Sequence, residues 1–328
     1  GAHYVLPKCK VDLKPERAEY APGDHVSGTL QAAYFFGKPV ANAQVTLEGY
    51  SFDVQRNDAF RTEFTTDENG QALVEFDLPG YIAGSELDNG LGRFYVQASV
   101  TDATNHAETA RLSLPVSQSG LVVQAVPEGG AFRAGVENIL YLMASYPDGS
   151  PAEAEFSVQI YENGQTQRVK SDPYGLAELR YTPGGPWQSF GVEASDARGN
   201  FVRRDFTFEG QWSEESILLR PEKPVYRVGD TMQLDLRASA PGAGTVYLDI
   251  VRGGQTVSTR SIRLENGRGQ AAVDLTPDLY GTLDLHAYKI LASGSIVRDT
   301  RIIVVDPAAD LSVAVRPGQE LKLESCRK

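Results

Sequence analysis

Residues 20–26, with the sequence YAPGDHV, decide the fold because the same pattern returns twice further along the chain. The third copy is residues 226–232 (YRVGDTM), and a less regular middle copy is residues 132–138 (FRAGVEN). Each copy has an aromatic side chain that can fill a core, then a turn closed by glycine, then an alternating strand. A feature that recurs at the spacing of a small domain predicts an array of similar modules.

The composition is that of a folded chain with more than one domain. Its residues are 41% hydrophobic and 23% charged, which is typical of a folded protein. A chain of 328 residues is too long for a single sandwich, so two or three domains are predicted. A net charge of -12 argues against binding to nucleic acid or to an anionic membrane. No run approaches the roughly 20 apolar residues of a membrane span. The abrupt start and stop are typical of an excised fragment, so the missing secretion leader says little.

Short runs that alternate between apolar and polar residues extend through the whole chain. Residues 26–30, 94–100 and 154–160 are examples, and a period of two is the spacing of strands. No stretch has the apolar period of a three-turn helix. The pattern therefore predicts an all-β fold of tandem antiparallel β-sandwiches, similar to fibronectin III and immunoglobulin domains.

Turn signals repeat in the same order as the strands. The Gly-Lys-Pro turn at residues 37–39 is matched by residues 147–151, and the turn at residues 66–70 is matched by residues 171–175. We interpret residues 66–70 as a hairpin turn, because Asn-Gly readily takes positive φ. The Asn-Gly pair at residues 266–267 is also expected to let the next strand pair back.

The repeated order of strands and turns also predicts the domain boundaries. Small polar residues at 117–120 mark the first of them. The predicted sandwiches are residues 1–117, 118–211 and 212–306, and residues 307–328 are the first strand of a further domain.

At residues 4–11 (YVLPKCKV) and 34–40 (YFFGKPV) the sequence resembles the α2-macroglobulin superfamily, which includes bacterial members and the complement C3 family. In that family a Val-Leu-Pro-Lys-Phe stretch leads into the third macroglobulin domain, and an aromatic-Gly-Lys-Pro-Val turn follows. Cys9 stands where the family usually has Phe. This departure fits either a local adaptation or a surface-facing position.

The resemblance assigns the three predicted sandwiches to the third, fourth and fifth macroglobulin domains, and residues 307–328 to the start of the sixth. It implies a scaffold fragment of a bacterial broad-spectrum protease inhibitor, which traps proteases after a bait is cleaved. In the family the bait and the thioester, formed within a Cys-x-Glu-Gln motif, lie later in the chain, and that motif does not occur here. By the resemblance the fragment is not an enzyme, and the parent is secreted, periplasmic or on the cell surface. The implied partners are proteases, through the full-length protein, and neighbouring macroglobulin domains.

Three short motifs invite a functional interpretation that their context does not favour. Residues 267–272 (GRGQAA) have the letters of a dinucleotide fingerprint, but an alternating strand follows where a helix is needed. Residues 67–70 lack the spaced carboxylates and the closing Glu of an EF-hand loop, so a hairpin turn is favoured over calcium binding. The pair at residues 203–204 is too short for a polyanion site.

No catalytic, cofactor-binding or metal-binding residue is predicted. None of the four histidines, at positions 3, 25, 106 and 286, has the i, i+4 spacing of a zinc site on a helix. His286 is expected to be an exposed strand residue. A Gly-x-Ser-x-Gly elbow is absent, and a Ser-His-Asp site built from distant strands has no support in the sequence.

Two cysteines, Cys9 and Cys326, are too few for a disulfide framework. Cys9 could be a nucleophile whose pKa is lowered by Lys8 and Lys10, or it could pair with Cys326. A half-buried packing residue is the favoured interpretation.

Two rival functions share the predicted fold, and fold alone does not choose among them. One is a surface adhesin or carbohydrate-binding array that presents the aromatic run at residues 34–36 and the long polar insertion at residues 80–92. The other is a set of accessory modules on a secreted hydrolase. Alternation sends at least one ring of the aromatic run to the core and another towards a domain junction.

Overall fold

The computed structural model describes residues 9–83, 90–210 and 212–307. Within these residues the chain forms antiparallel sheets almost throughout, and the one helical element is a single 3-10 turn at Pro277–Leu279. The predicted all-β fold of tandem β-sandwiches is confirmed. The expected strand within residues 307–328 and residues 84–89 of the polar insertion at residues 80–92 lie outside the described residues.

The first sandwich contains seven strands. They are β1 Cys9–Pro15, β2 His25–Tyr34, β3 Gln44–Phe52, β4 Arg56–Thr65, β5 Gln71–Asp77, β6 Leu91–Thr101 and β7 Ala107–Ser117. A three-stranded sheet in the order β1-β2-β5 packs on a four-stranded sheet in the order β4-β3-β6-β7. Leu30, Leu47 and Phe94 fill the space between the sheets and are fully buried.

The second sandwich repeats this plan strand for strand. Its strands are β8 Val122–Pro127, β9 Asn138–Ser145, β10 Glu155–Ile160, β11 Thr166–Lys170, β12 Leu176–Tyr181, β13 Gln188–Ser195 and β14 Phe201–Phe208. The sheets have the orders β12-β9-β8 and β11-β10-β13-β14. Leu140, Phe156 and Phe190 lie in a separate core.

The third sandwich adds one short strand to the same plan. Its strands are β15 Ile217–Pro221, β16 Val225–Arg227, β17 Thr231–Ala238, β18 Gly244–Arg252, β19 Gln255–Leu264, β20 Arg268–Asp274, β21 Gly281–Ile290 and β22 Ile296–Asp306. The sheets have the orders β15-β17-β20 and β16-β22-β21-β18-β19, and β16 runs parallel to β22. Tyr226, Leu248 and Leu285 belong to its core.

Two of the predicted hairpins are wrong, although the turns themselves are present. Strand β4 pairs with β3, and β5 pairs with β2 in the opposite sheet, so residues 66–70 carry the chain from one sheet to the other. Strand β20 likewise pairs with β17, so it does not return along β19. The turn residues were recognised, but alternation of period two does not say which strand is the partner.

A glycine fits each of these sheet-crossing turns because the turn presses against the middle strand of the three-stranded sheet of its sandwich. Gly70, Gly175 and Gly267 have φ of +72°, +79° and +72°. A Cβ atom at these positions would lie 2.3, 2.2 and 2.8 Å from a carbonyl oxygen of β2, β9 or β17. Each glycine carbonyl accepts a backbone hydrogen bond of 2.8 Å from the same strand. The repeat therefore extends to individual atoms.

The chain divides into two compact units. The first comprises residues 1–132 and 137–211 and holds the first two sandwiches. The second comprises residues 212–328 together with the short segment 133–136.

Candidate functional site

The three opening turns have the predicted geometry. Tyr20, Phe132 and Tyr226 are buried, with exposed fractions of 4%, 1% and 1%. The glycine three positions later has φ of +82°, +74° and +96° in the three copies, a region that L side chains rarely adopt. The aromatic that fills the core and the turn closed by glycine are thus both present in every copy.

A charged network surrounds the first of these tyrosines. The backbone N–H of Arg17 donates to Tyr20 Oη over 3.2 Å, and the Arg17 guanidinium carbon lies 4.5 Å from the ring centroid. Arg17 also pairs with Asp24, which accepts the backbone N–H of Ala21 over 2.9 Å. The Ala21 N–H and then the Arg17 guanidinium lower the pKa of Asp24.

The third copy builds the same network from different residues. The backbone N–H of Lys223 donates to Tyr226 Oη over 3.2 Å, and Lys223 Nζ lies 5.0 Å from the ring centroid. Lys223 Nζ also lies 3.2 Å from Asp230 Oδ2, which accepts the N–H of Arg227. The sequence signal, a cation three residues before the tyrosine and an aspartate four residues after it, was present but not recognised.

The middle copy has no phenolic hydroxyl and holds its aromatic by packing alone. The Phe132 ring centroid lies 5.5 Å from Phe190, 5.6 Å from Phe208 and 6.4 Å from Tyr181. All three opening turns therefore place an aromatic side chain in a core.

Cys9 is a core residue, which corrects the surface-facing interpretation. It is 6% exposed and packs in the core of the first sandwich. Burial first, and then the nearby Glu108 and Asp102 carboxylates, raise the pKa of the thiol. The shift is opposite to the lowering by Lys8 and Lys10 that the less favoured nucleophile interpretation needs, and a thiol in this state is a poor nucleophile. Cys326 lies outside the described residues.

Asp102 forms the most heavily hydrogen-bonded carboxylate of the first sandwich. Its Oδ1 accepts the backbone N–H groups of Thr104 (2.9 Å) and His106 (3.0 Å), and its Oδ2 accepts the Tyr34 hydroxyl over 3.0 Å. The His106 N–H, followed by the Thr104 hydroxyl, holds the pKa of Asp102 well below its usual range. These bonds tie the turn after β6 to the end of β2, so the role is structural.

The histidines that the structure describes have separate partners. His25 Nδ1 lies 2.7 Å from Asp77 Oδ1, and this contact raises the pKa of His25. His286 Nδ1 lies 3.1 Å from Thr300 Oγ1, and the residue is on a strand as expected but is half-buried where exposure was predicted. Among residues 9–83, 90–210 and 212–307, no three His, Cys, Asp or Glu side chains form a metal-binding group.

The aromatic run divides between core and solvent. Tyr34 packs against the core of the first sandwich, whereas Phe35 and Phe36 are 65% and 72% exposed. Tyr34 and Phe36 stack with their centroids 5.2 Å apart. One ring therefore reaches the core as predicted, and two rings remain available at the turn.

The remaining motifs are ordinary turns and strands. Residues 268–272 of the GRGQAA stretch lie in β20, so the strand context of that motif is as predicted. Asp67 Oδ1 accepts the backbone N–H groups of Asn69 and Gln71, each over 2.8 Å, which uses this oxygen to close the turn. Asp172 Oδ1 does the same for Tyr174 and Leu176 in the second sandwich.

Sequence reasoning missed one buried carboxylate in the second compact unit. Asp299 is 2% exposed, and its oxygens accept the N–H of Leu219 over 2.8 Å, Arg301 Nη1 over 2.8 Å and Arg133 Nη2 over 3.0 Å. An aspartate on an otherwise alternating strand looks solvent-facing in the sequence, because nothing there marks its distant partners.

Comparison with known proteins identifies the family. A model of the macroglobulin domain MG3 matches residues 3–79, and a model of the α2-macroglobulin bait region domain matches residues 217–325. The first match lies in the first sandwich, as the resemblance predicts, and the second covers the third sandwich, which the resemblance assigns to the fifth macroglobulin domain. The chain belongs to the α2-macroglobulin superfamily.

Individual relatives cover the chain but are distant. An α2-macroglobulin from Thermotoga maritima is 23% identical over 76% of this chain and 15% of its own length. Complement C3 from Eptatretus burgeri is 25% identical over 97% of this chain and 21% of its own length. This superfamily member therefore spans only about a sixth to a fifth of these curated relatives.

Solved structures of the superfamily resemble the chain weakly. Trypsin-activated α2-macroglobulin from Escherichia coli aligns with a TM-score of 0.44 and 11% identity, over 94% of this chain and 24% of that chain. A TM-score at this level carries no functional weight. No helix in the described parts of the chain is both long and apolar enough to cross a membrane.

Proposed function

We propose that this chain is a scaffold segment of a bacterial α2-macroglobulin-like protease inhibitor. The observation that carries the proposal is the pair of family-model matches, at residues 3–79 and 217–325, on one threefold-repeated strand plan. In the proposal the sandwiches form part of a cage wall that closes around a protease once the bait is cut. The parent protein is secreted, periplasmic or on the cell surface.

The proposed domains are residues 1–117, 118–211 and 212–306, with residues 307–328 beginning a fourth. Three separate hydrophobic cores support the division of residues 9–306. Each two-layer core resists strain, so a conformational change would move sandwiches as rigid bodies and leave their cores intact. The seams, together with neighbouring macroglobulin domains, would then transmit the response to bait cleavage.

The segment is proposed to contribute no catalytic residue, cofactor or thioester. Burial and the raised pKa of Cys9 support this, because the thiol is neither accessible nor ionised at neutral pH. We also propose that the bait lies outside the chain. The description of the model that matches residues 217–325 names the bait region, so this placement needs its own test.

Limited proteolysis tests the position of the bait. If the bait lies elsewhere, low concentrations of trypsin, elastase and thermolysin will leave residues 217–306 intact, because strands protect the backbone from cleavage. Rapid cutting at one shared place within residues 217–328 by all three proteases would put the bait inside this chain.

Trapping by the parent protein tests the function itself. A trapped protease should lose activity on a large protein substrate and keep activity on a small peptide substrate. Deleting residues 118–306 from the parent should abolish this difference, because the wall would be open. Equal inhibition of both substrates, or trapping without these residues, would contradict the proposal.

A second candidate is the carbohydrate-binding or adhesin array. The exposed rings of Phe35 and Phe36 favour it, since aromatic faces stack on sugars and other flat apolar ligands. A glycan array probed with the chain, with Phe35→Ser/Phe36→Ser as the matched control, decides between the two. Binding that disappears in the control would favour the adhesin.

A further inference from the structure

We infer that the first two sandwiches form one rigid block and that residues 117–120 act as a splint between them. The inference does not rest on the proposed function. Val116 belongs to the core of the first sandwich and Leu121 to the core of the second. The connection between the two cores is therefore no longer than a turn.

Hydrogen bonds fix both ends of this connection. The backbone N–H of Ser117 donates to the Tyr20 carbonyl over 2.9 Å, which holds it to the first sandwich. The Ser119 hydroxyl donates to the Phe201 carbonyl over 3.0 Å and accepts the N–H of Leu121 over 3.2 Å. The splint is thus attached to the opening turn on one side and to β14 on the other.

Gly120 sits where the connection touches the second sandwich most closely. A Cβ atom on Gly120 would lie 2.3 Å from Asn200 Oδ1. The Asn200 side chain has little freedom to move away, because its Nδ2 donates to Asp196 Oδ2 over 2.8 Å and its backbone N–H donates to Asp196 Oδ1 over 2.9 Å. The close fit leaves the connection no room to pivot.

A second contact lies beside the splint. The charges of Asp148 and Arg198 in the second sandwich act on the Glu19 carboxylate of the first sandwich, so these groups lie near one another. The Arg198 guanidinium carbon lies 4.1 Å from the centroid of Tyr146. Burial, and then the Asp148 carboxylate, raise the pKa of Glu19. Burial of a residue from the first sandwich against the second is what a closed seam produces.

A third contact is made by the edge strand of the second sandwich. A Cβ atom on Gly90 would lie 1.5 Å from Arg204 Nη2, so the guanidinium is pressed against the backbone of the first sandwich. The splint, the Glu19 contact and the Arg204 contact are three separate points of support. Three such points resist bending in more than one direction, whereas a single linker does not.

Distance measurements between spin labels test the inference on the whole chain. Labels at Thr62→Cys in β4 and Thr166→Cys in β11 report across the seam, and both positions are exposed. Labels at Thr62→Cys and Ser113→Cys lie on one sheet, so the width of their distance distribution is the reference for two positions on a rigid body. Cys326→Ser is the background, and the buried Cys9 is checked by the absence of labelling in a chain without new cysteines.

If the first two sandwiches form one rigid block, the distance distribution across the seam should be no broader than the distribution within the sheet. A broad or two-peaked distribution across the seam would overturn the inference. Gly120→Ala should broaden the distribution across the seam, whereas Gly185→Ala should not, because a Cβ at Gly185 meets nothing within 4 Å. If Gly120→Ala leaves the distribution unchanged, the splint is not what holds the block.

Discussion

The sheet-crossing glycine of the second sandwich offers a quantitative test of the packing. In Gly175→Ala the new Cβ would lie 2.2 Å from the Ala144 carbonyl oxygen, at a φ of +79°. Gly149→Ala is the matched control in the same sandwich, because it has φ of +88° and nothing within 4 Å. The two variants therefore share the backbone strain and differ in the contact.

The expected costs follow from these two terms. Positive φ costs an alanine about 1–2 kcal/mol in either variant. At Gly175 the overpacking adds about 1–3 kcal/mol, and displacement weakens the 2.8 Å bond from the Ala144 N–H to the Gly175 carbonyl, worth about 1 kcal/mol. We expect Gly175→Ala to lower the free energy of unfolding of this sandwich by about 2–3 kcal/mol more than Gly149→Ala does.

Hydrogen exchange read by mass spectrometry in urea measures the difference for each sandwich separately. Amides of β10 and β13 report the second sandwich, and those of β3 and β6 provide an internal reference that neither substitution should change. Equal destabilisation by Gly175→Ala and Gly149→Ala would refute the reasoning, because it would mean that the turn does not press on β9.

Four further outcomes are expected. Tyr226→Phe should cost about 1 kcal/mol in the third sandwich by urea unfolding, since Phe132 fills the same position; a loss as large as that of Tyr226→Ala would contradict this. Asp299→Ala should lower the free energy of unfolding by about 3 kcal/mol, as measured by hydrogen exchange of the β15 and β22 amides. No change would mean that the contacts with Arg133 and Arg301 contribute little to stability. Because the folded-state pKa of Glu19 is raised, its protonated carboxyl group favours folding at pH values below its unfolded pKa, and this effect is lost as the pH rises through the folded pKa. Glu19→Gln should therefore raise the stability of the first unit near pH 7 and lose this advantage towards pH 4. A stability difference that does not change with pH would refute the burial of this group. Cys9 should react with a thiol reagent only as β1 opens, and reaction as fast as that of a free thiol would contradict its place in the core.

The sequence predicted the inward-facing part of each sandwich and missed much of its outer edge. Alternation identified the buried strands, such as the stretch around Phe94 and the one around Phe156, because one face must be apolar. It did not identify β4 or β11, which lie at sheet edges and expose most of their side chains to water. An edge strand needs little apolar surface, so its sequence resembles that of a loop.

The partners of strands and side chains were the other part that could not be predicted. Residues 66–70 look like a hairpin turn whichever strand follows, and only the contact of Gly70 with the Ala32 carbonyl shows the crossing between sheets. The sequence favoured a half-buried packing role for Cys9 but did not show that the residue lies fully in the core, because the two lysines beside it are polar. The networks around Arg17 and Lys223 repeat at a fixed spacing, so the sequence does contain enough information to find them.

We propose that this chain supplies framework and no reactive group to its parent protein. The most direct measurement adds trypsin to the isolated chain, follows hydrolysis of a protein substrate and then separates the products under denaturing conditions. We expect an unchanged rate of substrate hydrolysis and no covalent adduct between the chain and the protease. A reduced rate at stoichiometric amounts, or an adduct that survives denaturation, would contradict it.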